Sequence, residues 1–343
     1  MSHIRPGCDT DSNARFENVN FLSRNHYHLK YFARSSTQMV SSLIIYLKSF
    51  AIEFSFVFRF LRWQSISGAF IFHFSPKLSQ LNTTFAHHIS MRFDTSIIIQ
   101  ARMGSSRLPG KVLRPFYGQQ TILDIVLATL RRSVHGLPVI LATSESKADD
   151  QLEDWANANE LNVFRGDENN VLARFLGAAE TYNVANIVRI CADNPFLDLE
   201  LLDRLIATAR TEESDYISYL AGDDVPAMKS HWGIFAEWVT TDALRKAAAS
   251  TSDTLYTEHV TNFVYGHPAL FRLKWLKAPE MVYNRSDVRF TIDTEEDFEL
   301  VCRIYAVLAE RGIHPNFKDA LQLVENDEPA RLVMQNQIRN FTK

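Results

Sequence analysis

Cysteine is scarce in this chain, and its scarcity argues against two kinds of protein. Only three of the 343 residues are cysteine; Cys8, Cys191 and Cys302 lie far apart and form no Cys-x-x-Cys pair. We therefore expect neither a disulfide framework nor a zinc site, and the composition fits the reducing cytoplasm. Cys191 and Cys302 each fall within an apolar run, so we interpret them as core residues.

The chain also lacks a basic excess and a long apolar segment free of charge. It has 36 Lys and Arg against 40 Asp and Glu, whereas nucleic-acid-binding proteins usually carry clustered basic charge. The most apolar stretch, residues 40–63, is interrupted by four charged residues, and such groups are costly near a bilayer centre. We expect no nucleic-acid partner and no membrane association.

The composition changes abruptly near residue 91. Residues 1–90 hold nine Lys and Arg against four Asp and Glu, whereas the remainder holds 27 against 36. The first segment has no clean amphipathic period, so we interpret 1–90 as a poorly structured extension, with Met91 as the true start of translation. A membrane-associating leader and an accessory domain are the alternatives. The folded domain is expected at 91–343.

From Thr95 onward, short apolar runs alternate with amphipathic helical segments. Ser96–Ile99 is typical of a buried strand because it is short and β-branched. Further strands are predicted at 138–142, 163–164, 186–192, 216–219, 233–239, 271–276 and 288–292, and helices at 121–132, 149–158, 170–182, 198–210, 242–249 and 294–312. This alternation predicts an α/β sandwich with a mainly parallel sheet, whose ligands lie at the carboxyl ends of the strands.

One loop, residues 100–111, carries most of the chemistry. It follows the first strand directly and combines three cations, two hydroxyls and two glycines: Arg102, Arg107, Lys111, Ser105, Ser106, Gly104 and Gly110. Arginine forks, a lysine and approachable backbone N–H groups suit a triphosphate. A Walker A loop is excluded, because five residues separate the glycines and Val112 follows the lysine. We expect this loop to be exposed before ligand binds, so that Lys111→Ala leaves the fold intact.

The motif SIIIQARMGSSRLPGKVL at 96–113 closely resembles the opening of the bacterial cytidylyltransferases, especially the SpsF-type branch of spore coat polysaccharide biosynthesis. CMP-Kdo and CMP-acylneuraminate synthetases are more distantly similar. The resemblance continues through LATSE, VFRGDENNVLARF, VRICADNPFLD, TEHVTNF and RFTIDTEEDFEL, and so covers roughly residues 95–308.

This resemblance implies a Rossmann-like nucleotidyltransferase fold and Mg²⁺-dependent transfer of a cytidylyl group from CTP to a sugar or sugar acid, with release of pyrophosphate. It also implies a homodimer. Metal binding falls to Asp193 and Asp293, and catalysis to Arg102, Arg107 and Lys111. The implied nucleotide-binding residues are Gln100, Ala101, Arg102, Gly104, Ser105, Ser106, Arg107, Lys111, Ala142, Thr143 and Asp193.

The acceptor is less well defined by the sequence. The predicted substrate-binding residues are Arg174, Arg189, Glu237, Glu258 and His259. Arg174 lies off the apolar stripe of its helix, and Arg189 lies within an apolar strand, where an unpaired charge would be expensive. The residues at 228–231 depart from the pattern expected in the family, and Asp297 is interpreted as a helix cap.

Three other functions remain open at this point. A glycosyltransferase that uses a nucleotide sugar would share a similar sheet, although the loop suits a triphosphate better and no Asp-x-Asp follows a central strand. A nucleotidyltransferase for another base is a second alternative, because a phosphate loop does not read the base. A catalytically silent sensor or scaffold is the third, and the joint presence of Lys111, Asp193 and Asp293 argues against it.

Overall fold

The computed structural model describes residues 62–66, 69–73 and 95–341. The chain divides into two units, Met1–His87 and His88–Lys343. In the first unit, strand β1 (Arg62–Ile66) pairs antiparallel with β2 (Ala69–His73), a pairing that the sequence did not predict. The rest of the predicted extension at 1–90 lies outside the described residues.

The second unit is built on a mixed, mostly parallel sheet. The strands of this unit are β3 (Thr95–Gln100), β4 (Pro115–Tyr117), β5 (Gln120–Thr121), β6 (Val139–Ser144), β7 (Asn162–Gly166), β8 (Asn186–Cys191), β9 (Tyr216–Gly222), β10 (Val225–Pro226), β11 (Glu237–Thr240) and β12 (Leu273–Lys277). The sheet order is β10-β9-β11-β8-β3-β6-β7, with β12 also on β9, while β4 and β5 form a separate pair. Strands β3, β6, β7, β8, β9 and β12 share one direction, and β10 and β11 oppose it.

Helices follow most strands, as the alternation predicted. They are α1 (Ile122–Arg131), α2 (Asp150–Ala158), α3 (Val171–Thr181), α4 (Leu199–Ala209), α5 (Thr241–Ser250), α6 (Thr254–Glu258), α7 (Asn262–Gly266), α8 (Glu295–Glu310), α9 (Phe317–Glu325) and α10 (Glu328–Asn340). Within the described ranges, none of the helices has the length and apolar character that a membrane crossing needs.

The sheet is buried on both faces, which explains the continuous apolar run in β3. Ile97 and Ile99 belong to one core cluster and Ile98 to another, because successive strand side chains point to opposite faces. The first cluster includes residues of α1, α4 and α8, and the second includes residues of α3 and α5. The predicted α/β sandwich is therefore confirmed.

Two predicted strands differ from the structure. Residues 288–292 are irregular, although Val288, Phe290 and Ile292 are buried. The strand predicted at 233–239 shortens to β11, and Gly233 has φ +62°, a left-handed conformation outside the range of a strand. Beyond residue 312 the chain forms two further helices, α9 and α10, which were not predicted from the sequence.

The contact between α3 and β7 tests how tightly this core is packed. A Cβ on Gly177 would overlap Phe164 Cζ and lie 2.9 Å from Phe164 Cε1. Ala is favoured over Gly within a helix by about 1 kcal/mol, but overpacking costs about 1–3 kcal/mol. We expect Gly177→Ala to lower the free energy of unfolding, measured by urea denaturation, by up to about 2 kcal/mol.

Gly266→Ala is the matched control, because no atom of the described residues lies within 4 Å of a Cβ at Gly266, the last residue of α7. Its free energy of unfolding should change by less than about 0.5 kcal/mol. Equal effects of the two substitutions would show that Phe164 shifts aside without cost.

Candidate active site

The loop 100–111 crosses the carboxyl edge of the sheet and is folded back on itself. Its first residue, Gln100, ends β3 and pairs in register with Ala142 and Cys191 at the ends of β6 and β8. The N–H of Gly110 donates a hydrogen bond to Met103 O at 2.9 Å, and Gly110 has φ +71°. Only glycine adopts such a backbone conformation without steric cost.

The ammonium group of Lys111 contacts both carboxylates that were predicted to bind metal. Its Nζ is 2.8 Å from Asp193 Oδ2 and 3.6 Å from Asp293 Oδ1, and it donates a hydrogen bond to Ile292 O. Burial alone would lower the pKa of Lys111, but the charges of Asp193 and Asp293 outweigh it, so the pKa is raised. Lys111 is therefore cationic at neutral pH. Asp193 and Asp293, a hundred positions apart in the chain, both contact its ammonium group.

The expectation of an exposed loop is wrong for Lys111. Its residue surface is only 7% exposed, whereas Gly104, Ser106 and Arg107 are exposed. The burial follows from the two carboxylates and the carbonyl that enclose the ammonium. Truncation of Lys111 would thus also leave two carboxylates without their shared cation, so this substitution does not separate catalysis from folding.

The two arginines of the loop reach different partners. Arg107 Nη2 lies 3.2 Å from Asp293 Oδ1, on the same oxygen that Lys111 approaches. Arg102 donates to the backbone oxygen of Glu168 at 3.4 Å, and its Nη2 lies 3.6 Å from Glu258 Oε1. The three loop cations therefore face carboxylates from three distant parts of the chain.

Asp293 lies beside the loop 100–111 although no strand precedes it directly. It follows the irregular segment 288–292, so the predicted reason for its position is wrong. Its Oδ2 accepts a hydrogen bond from Arg289 Nη2 at 2.9 Å. Asp297 forms a capping box with Thr294 at the start of α8, as predicted, and also pairs with Arg289.

Arg189 and Glu237 form a buried ion pair beneath the loop. Glu237 is fully buried and accepts hydrogen bonds from Arg189 Nη1, the Tyr216 hydroxyl and the Thr261 hydroxyl. Arg189 Nη2 donates to Gln100 Oε1 at 2.9 Å. Arg189 therefore has a carboxylate partner, which offsets the cost of burying its charge. Both oxygens of Glu237, which was predicted to bind substrate, accept hydrogen bonds from protein donors.

Arg174, predicted to bind substrate, is only 1% exposed. Its Nη1 donates to Asp167 O at 2.9 Å, while Nε and Nη2 are buried and have no hydrogen-bond partner among the described residues. Burial and the nearby charge of Arg102 lower its pKa. Arg174 is therefore buried against the backbone of the segment that follows β7 and does not face solvent.

Glu258 and His259, also predicted to bind substrate, are exposed at the end of α6. Glu258 is the residue that pairs with Arg102, so the structure brings it to the basic loop. Ala142 and Thr143, predicted to lie near the nucleoside, are fully buried at the end of β6. Their side chains therefore support the edge of the sheet and do not project from it.

Asp149 is a residue of the site that the sequence did not reveal. It is 1% exposed and accepts hydrogen bonds from Met103 N at 2.7 Å, the Thr143 hydroxyl at 2.8 Å and Ser144 N at 2.9 Å. Burial alone would raise the pKa of Asp149, but its hydrogen bonds lower it below the ordinary value. The only local signal was its place as the first residue of the helix predicted at 149–158, which says nothing about the loop.

An open α/β sheet with a basic loop after its first strand, at the carboxyl ends of the strands, fits a nucleotidyltransferase. The Cytidylyltransferase family model matches residues 96–333. This chain belongs to the cytidylyltransferase family. The match extends past the segment 95–308 in which the sequence motifs were seen, and it includes α9 and part of α10.

Three known proteins are similar to this chain over most of the matched region. The chain is 39% identical over 223 residues to the spore coat polysaccharide biosynthesis protein SpsF of Bacillus subtilis (strain 168), covering 64% of this chain and 89% of that protein. An uncharacterized protein of Methanocaldococcus jannaschii is 38% identical over 203 residues, 59% of this chain and 79% of that one. The solved structure of a cytidylyltransferase from Leptospira borgpetersenii is similar with a TM-score of 0.60 at 30% identity, covering 71% of this chain and 98% of that one.

The buried carboxylate of Asp149 generates a prediction about pH. Asp149→Asn removes acceptor capacity from a group with four protein donors, so we expect a loss of about 1–3 kcal/mol in the free energy of unfolding at pH 7. Because the folded-state pKa is lowered, this contribution is present above the unfolded pKa and is lost as the pH falls through the folded pKa. The difference between wild type and variant should shrink below pH about 4.

Urea denaturation from pH 7 down to pH 3 measures this difference. Asp150→Asn is the control, because its carboxylate is about half exposed and pairs with Arg165 at the surface. That variant should stay within about 1 kcal/mol of wild type. A loss for Asp149→Asn that does not change with pH would contradict the assigned role of the charge.

Proposed function

We propose that this protein transfers the cytidylyl group of CTP to a hydroxyl of a sugar or sugar acid, releases pyrophosphate, and serves polysaccharide biosynthesis. The observation that carries the proposal is the contact of Lys111 with both Asp193 and Asp293. Membership of the cytidylyltransferase family supports the choice of CTP. Similarity to a spore coat polysaccharide biosynthesis protein supports the pathway.

In this proposal the loop 100–111 holds the triphosphate. Arg107 is the most accessible of its three cations, with a side chain 45% exposed. Its planar fork suits the paired oxygens of a phosphate, whereas Lys111 acts as a point charge. Arg102, held by Glu258 and the carbonyl of Glu168, lies at the other end of the loop.

The carboxylates of Asp193 and Asp293 fit Mg²⁺. Among the described residues no group of three or more His, Cys, Asp and Glu is placed to hold a metal ion, but Mg²⁺ commonly takes one or two carboxylates together with substrate phosphates and water. Asp193 and Asp293 supply two hard oxygen donors beside the phosphate loop. When bound, Mg²⁺ would neutralise charge on the phosphates in the transition state.

The reaction makes one bond and breaks one. The acceptor hydroxyl oxygen bonds to the α-phosphorus of CTP, the bond from that phosphorus to the bridging oxygen of the β-phosphate breaks, and the hydroxyl proton passes to solvent or a base. Positive charge on Arg107 and Lys111 stabilises the pyrophosphate as it leaves. Such positioned charge acts without reorganisation at the moment of reaction.

The choice of CTP is tested by binding and turnover with each nucleoside triphosphate. Preferential binding to the folded state raises stability by about 2.7 kcal/mol at a ligand concentration of 100 Kd. With Mg²⁺ present, we expect CTP to raise the melting temperature of the full chain clearly more than ATP, GTP or UTP. Pyrophosphate release should require CTP together with one of a panel of sugar acids, sugar phosphates and polyol phosphates.

Equal thermal shifts for all four nucleotides would overturn the cytidylyl assignment but leave the enzyme class intact. Release of pyrophosphate only with another nucleotide would replace CTP by that nucleotide. Transfer from a nucleotide sugar without release of pyrophosphate would instead indicate a glycosyltransferase.

Arg107 allows catalysis to be separated from stability. Loss of one positioned donor to developing charge costs about 10²- to 10³-fold in turnover, so Arg107→Ala should reduce kcat by that order. The ion pair of Arg107 is partly exposed and contributes at most about 1 kcal/mol to stability. The melting temperature should therefore change little.

Arg114→Ala is the matched control for Arg107→Ala. Its side chain is 42% exposed, pairs with Glu295 at 2.7 Å and lies over the ring of Phe298, much as Arg107 pairs with Asp293 and lies over Phe341. Arg114 lies outside the loop, so kcat should stay within about twofold of wild type. A similar kcat for both variants would remove Arg107 from the site.

A further inference from the structure

The two oxygens of Asp293 have separate surroundings. Oδ1 lies 3.2 Å from Arg107 Nη2 and 3.6 Å from Lys111 Nζ, both of which belong to the phosphate loop. Oδ2 accepts from Arg289 Nη2 at 2.9 Å, four residues earlier in the chain. One oxygen therefore faces the loop, and the other is bound by a guanidinium group inside the protein.

The guanidinium group of Arg289 is held by a second carboxylate, that of Asp297. Arg289 is 1% exposed, and its Nε and Nη2 each donate to Asp297 at 2.7 Å in a bidentate pair. Asp297 also accepts from Asp293 N at 3.0 Å and Thr294 N at 3.1 Å at the start of α8. The carboxylate of Asp297 thus fixes both the backbone of Asp293 and the arginine that binds its side chain.

The remaining nitrogen of Arg289 contacts His231, which is distant in the sequence. Its Nη1 lies 2.6 Å from His231 Nδ1, and because a guanidinium only donates, Nδ1 is the acceptor. The backbone oxygen of His231 accepts from Phe290 N at 2.9 Å and Thr291 N at 3.2 Å. His231 therefore binds both the side chain of Arg289 and the segment that leads to Asp293.

We infer that Arg289 is a positioning residue, held by His231 and Asp297, that keeps Asp293 turned so that its Oδ1 faces the loop 100–111, where the proposed metal would bind. The inference rests on the proposed function, because it takes Asp293 as a metal carboxylate. Without the guanidinium, the carboxylates of Asp293 and Asp297 would face each other without a shared cation. The fork of Arg289 cannot be replaced by lysine, which offers a single charged nitrogen.

This role differs from a contribution to stability. Buried ion pairs are weak evidence of stabilisation, since their desolvation offsets much of their attraction. Groups that orient a metal ligand from behind, in contrast, typically change metal affinity by about 10- to 100-fold when they are altered. Metal affinity is therefore the quantity that separates the two roles.

The test uses Mn²⁺ in place of Mg²⁺, with a non-hydrolysable CTP analogue, and follows free Mn²⁺ by electron paramagnetic resonance. We expect Arg289→Lys to weaken Mn²⁺ binding in the ternary complex by about tenfold or more. Arg285→Lys is the control, because Arg285 lies in the same segment but pairs with Asp287 and Glu325. Its Kd for Mn²⁺ should stay within about twofold of wild type.

A second pair of variants keeps the inference testable if Arg289→Lys does not fold. His231→Asn retains an acceptor near the position of Nδ1, whereas His231→Leu removes it. Mn²⁺ affinity should fall about tenfold in His231→Leu and be largely retained in His231→Asn, with both variants folded by circular dichroism. A folded Arg289→Lys, or a folded His231→Leu, that binds Mn²⁺ as tightly as wild type would overturn the inference.

Failure of the inference is distinguishable from failure of the proposed function. If wild type binds no Mn²⁺ with the CTP analogue and releases no pyrophosphate, the proposed function falls and the inference falls with it. If wild type binds and turns over while the variants match it, only the positioning role is wrong.

Discussion

The ammonium group of Lys111, held against the carboxylates of Asp193 and Asp293, is the interaction on which the candidate site depends. It joins the loop 100–111 after β3, the turn after β8 and the segment before α8. None of these segments is regular structure at the point of contact, so backbone hydrogen bonding in the sheet does not by itself hold them together. Opposite charges attract strongly where little water surrounds them, so these ion pairs hold the three segments together.

A second set of charges lies inside the sheet and supports the first. The pair of Arg189 and Glu237 links neighbouring strands β8 and β11, and Arg189 also binds Gln100, the first residue of the loop 100–111. Buried pairs of this kind contribute little net stability. Their placement directly under the proposed nucleotide site indicates that they define the position of the loop's first residue.

Much of the fold could be predicted from local pattern, and the exceptions have a common cause. Strand β3 was recognisable because Ile97, Ile98 and Ile99 fill both faces of a covered sheet. The segment 288–292 also alternates apolar and polar residues, yet it is irregular. Its Arg289 turns inward to Asp297 and His231, and its N–H groups at Phe290 and Thr291 both bond to His231 O. Periodicity records which side chains are apolar, but not which distant groups are available as hydrogen-bond partners.

By itself the sequence determined the features that depend on near neighbours along the chain: the α/β alternation, the basic loop after the first strand, and the capping box at Thr294 and Asp297. Only the tertiary structure decided that Lys111 is buried between two carboxylates, that Glu237 is enclosed in the sheet, and that Asp149 holds the loop at Met103. Helix caps and strand runs are governed by interactions over a few residues. The pairing of charges from opposite ends of a domain depends on which strand ends the sheet places side by side, and that order is a property of the folded chain.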